Sequence, residues 1–345
     1  MPATPAIMGR EWRLAARPRG EPHEADFELA EADVPAPAEG ELLIRNTWMS
    51  LDPSMRIRMH ADAGEYMPSF EIGAPLDGWA VGDVVESRAP GFEPGDSALH
   101  RFGWREYAVL SAATEGRTRP ERIDVDETTP DRAYLGPLSW VGLTSYVGLL
   151  DVGELRPDDV VFVSAAAGAV GTLAVQIAKL RGHTVIGSAG SAEKVAFVRD
   201  RLGADAAFCY RDGDVGELLR AAAPHGIDLY FDNVGGDHLQ AALDALRPRG
   251  RVTLCGAIST YNATAPVPGP PNLFNAVAKG LTLRGFLARM YAHRMPQFRD
   301  DMRRWLAEGR IVYPETIFEG LEQAPRALMA LLAGENVGKV LVKVR

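Results

Sequence analysis

Hydrophobic and polar positions follow two rhythms along the chain. Up to about residue 130 the apolar runs are short and broken by Pro- and Gly-rich stretches. Glu41–Arg45, Val81–Ser87 and Trp104–Leu110 are examples. Runs of this kind, bounded by turn residues, predict strands of a β-rich domain. Gly82-Asp83 and Gly95-Asp96 predict turns between them.

After about residue 134 the period changes. Asp159–Ala166 reads as a buried strand. Gly168–Arg181 has helical spacing, with Val170, Leu173, Ala174, Ile177 and Leu180 on one face. His183–Ser188, Ala206–Tyr210, Ile227–Asp232, Arg251–Cys255 and Leu281–Phe286 continue as strands, with Ala192–Leu202 and further helical stretches between them. This alternation predicts an α/β unit with a doubly wound parallel sheet. Lys339–Val344 is β-like again. A short apolar strand needs a sheet to join, and the expectation is that it returns to the first domain. Residues 1–133 and 311–345 would then form a split β domain, with 134–310 inserted as the nucleotide domain.

The bulk properties narrow the function. A chain of 345 residues exceeds what one core usually serves, so two domains are expected. A net charge of -9 argues against a general binder of nucleic acid or anionic membranes, both of which need clustered Lys and Arg. The two cysteines, Cys209 and Cys255, are too few for a disulfide framework or a four-cysteine zinc lobe. With no signal-like N-terminal segment and no apolar run of about 18 residues, a cytoplasmic protein is expected.

The sharpest local motif is Ala165–Gly171, AAAGAVG, between a strand and a helix. A dinucleotide-binding turn needs a tight turn, a close approach to the pyrophosphate and a small residue for helix–strand packing. Ala166, Gly168 and Gly171 take those places, alanine replacing the first glycine, and the amides of Ala169 and Val170 open the helix as an anion site. An NAD-preferring site carries Asp or Glu about 20 residues further on. Here the chain reads Gly190-Ser191-Ala192-Glu193-Lys194. A gap of small residues followed by an ammonium suits a 2′-phosphate, whereas a carboxylate would repel it. Glu193 reads as a first-turn helix acid favoured by the dipole.

With these residues in view, the chain closely resembles the prostaglandin reductase / leukotriene hydroxydehydrogenase group of the zinc-free medium-chain dehydrogenase/reductases, and within it the curcumin-reductase-like proteins. The resemblance runs nearly end to end. It is carried by Ser50-Leu51-Asp52-Pro53, Met55-Arg56, Gly142-Leu143-Thr144, Tyr146 and AAAGAVG. It continues through Gly190-Ser191, Glu193-Lys194, Asp232–Gly236, Cys255-Gly256, Ser259, Tyr261-Asn262, Gly285-Phe286 and Asn336–Lys339. The resemblance implies a GroES-like β domain around a Rossmann domain, a homodimer and NADPH as cofactor. It implies that Lys194 and Tyr210 hold the 2′-phosphate. Asn233, Cys255, Ile258, Tyr261, Phe286 and Leu287 would surround the nicotinamide half, with Asn336 and Gly338 contributed by the C-terminal segment. Asn336 also reads simply as a turn residue beside Gly338.

No metal is expected. Zinc needs about four N, S or O ligands. Neither cysteine lies in the N-terminal domain, and His23, His60 and His100 show no paired ligand spacing. Without a Lewis acid, reduction of a conjugated C=C bond is a better expectation than alcohol oxidation. The implied reaction places hydride on the β-carbon of an α,β-unsaturated carbonyl compound. Tyr261 is the candidate to stabilise the developing enolate and relay a proton, the alternative being an aromatic that only packs on the cofactor. The chain departs from the group at Ser54, where relatives carry Tyr, and at Trp140-Val141, where they carry Met-Pro. Ser54, Arg56, Trp140 and Tyr291 are the expected substrate-pocket residues, Arg56 also reading as the partner of an acid within the β domain. Reductive cyclisation of a polyunsaturated intermediate, quinone reduction and a non-catalytic NADPH-binding structural role stay open.

Overall fold

The computed structural model describes residues 7–64, 67–114 and 118–345. It divides into two compact units, Met1–Leu135 with Glu315–Arg345, and Gly136–Pro314.

The first unit is β-rich. Strands β1 (Ile7–Leu14) and β2 (Phe27–Val34) form an antiparallel hairpin. A seven-stranded sheet contains β3 (Glu41–Ser50), β4 (Ala80–Ser87), β5 (Ser97–His100), β7 (Glu121–Ile123), β14 (Glu315–Glu319) and β15 (Lys339–Lys343) in the order β14-β15-β3-β4-β5-β7. The remaining strand, β6 (Tyr107–Ser111), also pairs with β3. The C-terminal β15 runs antiparallel to β3, with Leu341 opposite Ser50. Helices α1 (Ser54–Arg58) and α9 (Ala324–Leu332) complete the unit. Its core gathers Leu14, Met49, Leu51, Met55, Phe70, Leu328 and Val342.

Two local expectations fail here. Gly82-Asp83 is not a turn but lies inside β4, opposite Arg45 and Asn46. A Cβ on Gly82 would come 2.4 Å from the Arg45 carbonyl oxygen, so glycine serves a close strand approach beside a register irregularity. The strand expected from Trp104 starts only at Tyr107. Trp104 has a positive φ of 61° and stacks its buried indole on Phe27 with centroids 6.0 Å apart. Gly95-Asp96 does turn, at a φ of 96° for the glycine.

The second unit is a six-stranded parallel sheet. Its strands are β8 (Val160–Val163), β9 (Thr184–Ala189), β10 (Ala206–Cys209), β11 (Ile227–Asp232), β12 (Leu246–Leu254) and β13 (Thr282–Gly285). The order β10-β9-β8-β11-β12-β13 reverses direction beside β8, the topology of a doubly wound fold. Helices α2 (Trp140–Val147), α3 (Ala169–Leu180), α4 (Ala192–Asp200), α5 (Val215–Ala222), α6 (Gly236–Ala245), α7 (Asn275–Lys279) and α8 (Met295–Ala307) belong to this unit. Capping sets several starts: Ser139, Ser191 and Asp214 side chains accept from the amides of Val141, Lys194 and Glu217. Helix α3 is buried from Gly171 to Ala178, polar positions included. Gln176 tolerates this because its amide exchanges two 2.8 Å hydrogen bonds with the Val312 backbone. Phe162, Ile186, Leu219, Tyr230 and Val252 build the core.

Candidate active site

Strand β8 delivers the chain into the AAAGAVG turn at the point where the strand order reverses. Ala165 takes a left-handed φ of 48°, and Gly168 is the extended N-cap of α3, with no side-chain cap. The first helical amides, Ala169 to Gly171, have no intrahelical acceptors by position. Gly171 is indispensable for packing: a Cβ there would lie 2.2 Å from the Ala165 carbonyl oxygen and 2.8 Å from Ala166 Cα. Ala166 is fully buried, and a Cβ on Gly187 of β9 would come 2.9 Å from the Ala166 methyl. The turn thus has the tightness and the bare amides that a pyrophosphate requires.

The ends of β9 and β10 lie beside one another. A Cβ on Gly190 would stand 3.1 Å from the Tyr210 hydroxyl, so the two residues adjoin. Ser191 caps α4, and Lys194 is its third residue, its amide bonded to Ser191 Oγ at 3.3 Å. Glu193 is exposed in the same first turn. No carboxylate terminates β9, whose last residue is Ala189. This donor set fits a phosphorylated adenosine ribose. Arg211 was not foreseen. Its guanidinium carbon lies 5.7 Å from the Tyr210 ring centre, adding a cation at this corner.

The ends of β11 and β12 are zipped together. The amides of Cys255 and Gly256 donate to the Asp232 carbonyl, Ile258 to that of Asn233 and Ser259 to that of Val234. These bonds bring Asn233, Cys255, Ile258 and Tyr261 into one loop cluster. The Tyr261 hydroxyl accepts from the Ala257 amide at 3.3 Å, which folds the ring back over Gly256. Beneath them lies a polar knot absent from the sequence reading. The Tyr230 hydroxyl donates toward Asp232 Oδ1 at 2.7 Å and lies 2.9 Å from Ser164 Oγ. Ser164 Oγ accepts the Asn233 amide at 3.0 Å, and Asn233 Nδ2 donates to the Ser164 carbonyl at 2.8 Å. Asp232 Oδ1 also accepts the amides of Val234 and Gly235. The legible signal was the i, i+2 spacing of Tyr230 and Asp232, which puts both on one face of a strand.

Burial dominates the titration of this region. It raises the Asp232 carboxyl, against the opposing hydrogen bonds from Gly235, Tyr230 and Val234. It raises the Tyr230 phenol well above its ordinary value, reinforced by Asp232. The Cys255 residue is half-buried, but its enclosed thiol is pushed up to about 12 by burial and by Asp232. It therefore stays a neutral thiol near pH 7. His238 on α6, edge-on to Tyr210, is lowered to about 4 by burial.

At the end of β13, Phe286 is buried, and a Cβ on Gly148 would come 2.9 Å from its ring. Tyr291 meets Phe286 edge-on at 6.2 Å, within a kinked segment entered at Leu287. Trp140 is half-buried at the first position of α2, and α2 is tied to the fingerprint helix by Ser145 Oγ donating to the Val170 carbonyl at 2.8 Å.

Four expected site residues belong to the other unit. Ser54 is half-buried at the start of α1. Asn336 is buried and closes a turn through Nδ2 to the Gly338 carbonyl at 2.7 Å, with Gly338 at a φ of 70°. Beside this turn Lys339 Nζ donates to the Leu51 carbonyl and to Asp52, both at 2.7 Å. Arg56 corrects the sequence reading. Its side chain is fully buried, and Nε and Nη2 donate to the Gly20 carbonyl at 3.2 and 2.8 Å, so it braces the fold instead of lining a pocket. Among the described residues no three His, Cys, Asp or Glu side chains cluster as metal ligands.

A doubly wound unit with this glycine turn defines a dinucleotide-binding oxidoreductase fold. Family models agree: residues 10–116 match the N-terminal domain of oxidoreductase and 169–306 the zinc-binding dehydrogenase domain. The chain is 39% identical to the NADPH-dependent curcumin reductase of Escherichia coli (strain K12), covering 97% of this chain and 96% of that one. It is 39% identical to the 2-alkenal reductase (NADP(+)-dependent) of Nicotiana tabacum, covering 94% of each. The crystal structure of CurA in complex with NADPH from Vibrio vulnificus superposes with a TM-score of 0.90 at 39% identity, over 97% of this chain and 99% of that one. The chain belongs to the zinc-free medium-chain dehydrogenase/reductase family, in the group of the curcumin and prostaglandin reductases.

Proposed function

We propose that this protein is an NADPH-dependent reductase of the carbon–carbon double bond in α,β-unsaturated carbonyl compounds. The carrying observation is the edge formed by the ends of β8 to β13, where bare helix amides, a carboxylate-free ribose corner and the Asn233–Tyr261 cluster succeed one another. The names of the similar reductases support the same reading.

NADPH would be held by Gly168, Ala169 and Val170 at the pyrophosphate and by Gly190, Ser191, Lys194 and Tyr210 at the phosphorylated ribose. Asn233, Cys255, Ile258, Phe286 and Leu287 would surround the nicotinamide, and the family resemblance adds Asn336 and Gly338 to the cofactor-binding set. Bound NADPH supplies the hydride equivalent. The chain's own part is to orient and to handle charge. The Ser164–Tyr230–Asp232 knot holds Asn233 in a fixed rotamer. Cys255, as a neutral thiol, lines without reacting. The Tyr261 phenol stabilises the oxyanion that develops on the substrate carbonyl and relays a proton to it. Ser54, Trp140 and Tyr291 shape the substrate pocket. Residues 134–310 act as the nucleotide domain within a split β domain, and the protein works as a cytoplasmic homodimer.

The test is cofactor absorbance with a panel of enones, enals and quinones, NADPH against NADH, with products identified by mass. Turnover of enones with NADPH preference and a product two mass units heavier is expected. Quinone-only turnover, or none, would overturn the reading. A product of that mass carrying a new ring would assign reductive cyclisation. The Tyr261→Phe variant is expected to lose about 10- to 100-fold in kcat while its NADPH affinity holds. Unchanged kcat would remove Tyr261 from the chemistry.

A further inference from the structure

The edge of the parallel sheet where the strands begin carries a second, unrelated feature. An open cleft of about 250 Å³ is lined by four arginines, Arg156, Arg249, Arg251 and Arg284, against one carboxylate, Glu154, with Thr282 beside them. Glu154 serves two of the arginines, lying 3.4 Å from Arg156 and 3.2 Å from Arg284. Arg251 is the unusual member. It is only 5% exposed, its Nη2 is bonded to the buried Asp159, and its Nε is buried with no hydrogen-bond partner among the described residues.

A buried guanidinium N–H with no acceptor is expensive, and native proteins rarely leave one so. Here it belongs to a side chain lining a cleft rich in fixed positive charge. A guanidinium presents its donors as a planar fork matched to oxyanions, and several forks around one cleft suit an acceptor with several oxygens and more than one charge. With Glu154 and Asp159 set against the four arginines, two positive charges remain in excess, which a dianion neutralises and a single carboxylate would only halve.

We propose that this cleft is a binding site for a phosphate-class dianion, inorganic phosphate or a small phosphate monoester. An anion oxygen supplies the acceptor that Arg251 Nε lacks, and Arg156, Arg249 and Arg284 close around the remaining charge. The site is distinct from the fingerprint turn, because Arg251 and Thr282 pair near the start of β13 while the turn follows the end of β8. It does not depend on the reductase reading.

The test is isothermal titration of the intact protein with inorganic phosphate at constant ionic strength, with chloride as the control anion. Glycerol 3-phosphate in a second arm separates free phosphate from an ester. Saturable binding at one site per chain is expected. It should weaken at least tenfold in an Arg249→Ala/Arg284→Ala double variant and persist in Lys194→Ala. Both cleft positions are exposed, so the fold should survive, which circular dichroism checks. An absence of saturable binding would overturn the proposal. So would binding that Lys194→Ala abolishes and the double variant leaves intact. Loss of self-association in an Arg249→Glu/Arg284→Glu variant, with no phosphate binding in the parent, would assign the arginines to a partner subunit's carboxylates and equally overturn it.

Discussion

The two edges of the second unit's sheet are built from different materials. Where the strands end, the chain offers glycines, alanines and backbone amides, with Asn233 and Tyr261 among its polar side chains and Lys194, Tyr210 and Arg211 grouped at one corner. Where they begin, around Glu154, Arg251 and Thr282, it offers arginine side chains around a cleft. The first edge works by close approach, since a backbone donor reaches a ligand only when no Cβ intervenes. The second works by reach and charge, so its chemistry survives small shifts of backbone. Sites of the first kind should be brittle and those of the second graded.

The harshest way to break the contrast is Gly171→Val. The added carbons collide with Ala165 and Ala166 at a buried position in the first turn of α3. NADPH affinity is expected to fall by about 100-fold or more, with a stability loss of about 3 kcal/mol. Cofactor fluorescence titration and urea unfolding check both, and near-native affinity would show that this turn does not carry the cofactor.

Next in size is Lys194→Glu, which puts a carboxylate at the ribose corner. The preference for NADPH over NADH should drop by about 30-fold, equivalent to about 2 kcal/mol, from loss of a charge-assisted bond and added repulsion. Paired kcat/KM values for the two cofactors measure it. An unchanged ratio would shift the role to Arg211 and Tyr210.

Tyr230→Phe should cost about 1–2 kcal/mol in stability, because Asp232 and Ser164 lose a buried partner. It should raise the KM for NADPH through a looser Asn233. A stability loss with unaltered cofactor KM would make the knot purely architectural.

The smallest effect is a pH dependence. His238 is held at about 4 by burial, below its ordinary 6.5. As pH falls through 6.5 the unfolded chain takes up the proton first, so stability declines between 6.5 and 4 and levels off below. From pH 7.5 to 5.5 this histidine should remove about 1.4 kcal/mol. His100, fully buried in β5 and lowered to about 3, adds a slope of the same sign. Urea midpoints at the two pH values, compared with His238→Gln, isolate the part due to α6. An identical decline in the variant would clear His238 of the effect.

Much of the brittle edge was legible in advance because its rules are local. A strand, a turn of small residues and a helix period lie within about 20 consecutive positions, and the absence of an acid after β9 needs no partner to be read. The polar knot was less visible, since Ser164 and Tyr230 meet from different strands. The arginine cleft left no trace in sequence, its members being spread from Arg156 to Arg284 with no spacing that signals convergence. Gly82 and Trp104 misled for the same reason. A glycine-aspartate pair predicts a turn by local propensity, but the neighbouring strand's carbonyl decided its use.

The sequence by itself determined the alternation of strands and helices, the β8–α3 turn and the family, because periodicity, glycine conformational freedom and motif order are properties of neighbours along the chain. Only the tertiary structure decided that Arg56 is spent on the Gly20 carbonyl, that Asp232 and Tyr230 share a buried hydrogen bond, and that Arg251 keeps an unpartnered donor against a cationic cleft. Burial and cross-strand register set those outcomes, and both depend on residues that are distant in sequence until the sheet brings them together.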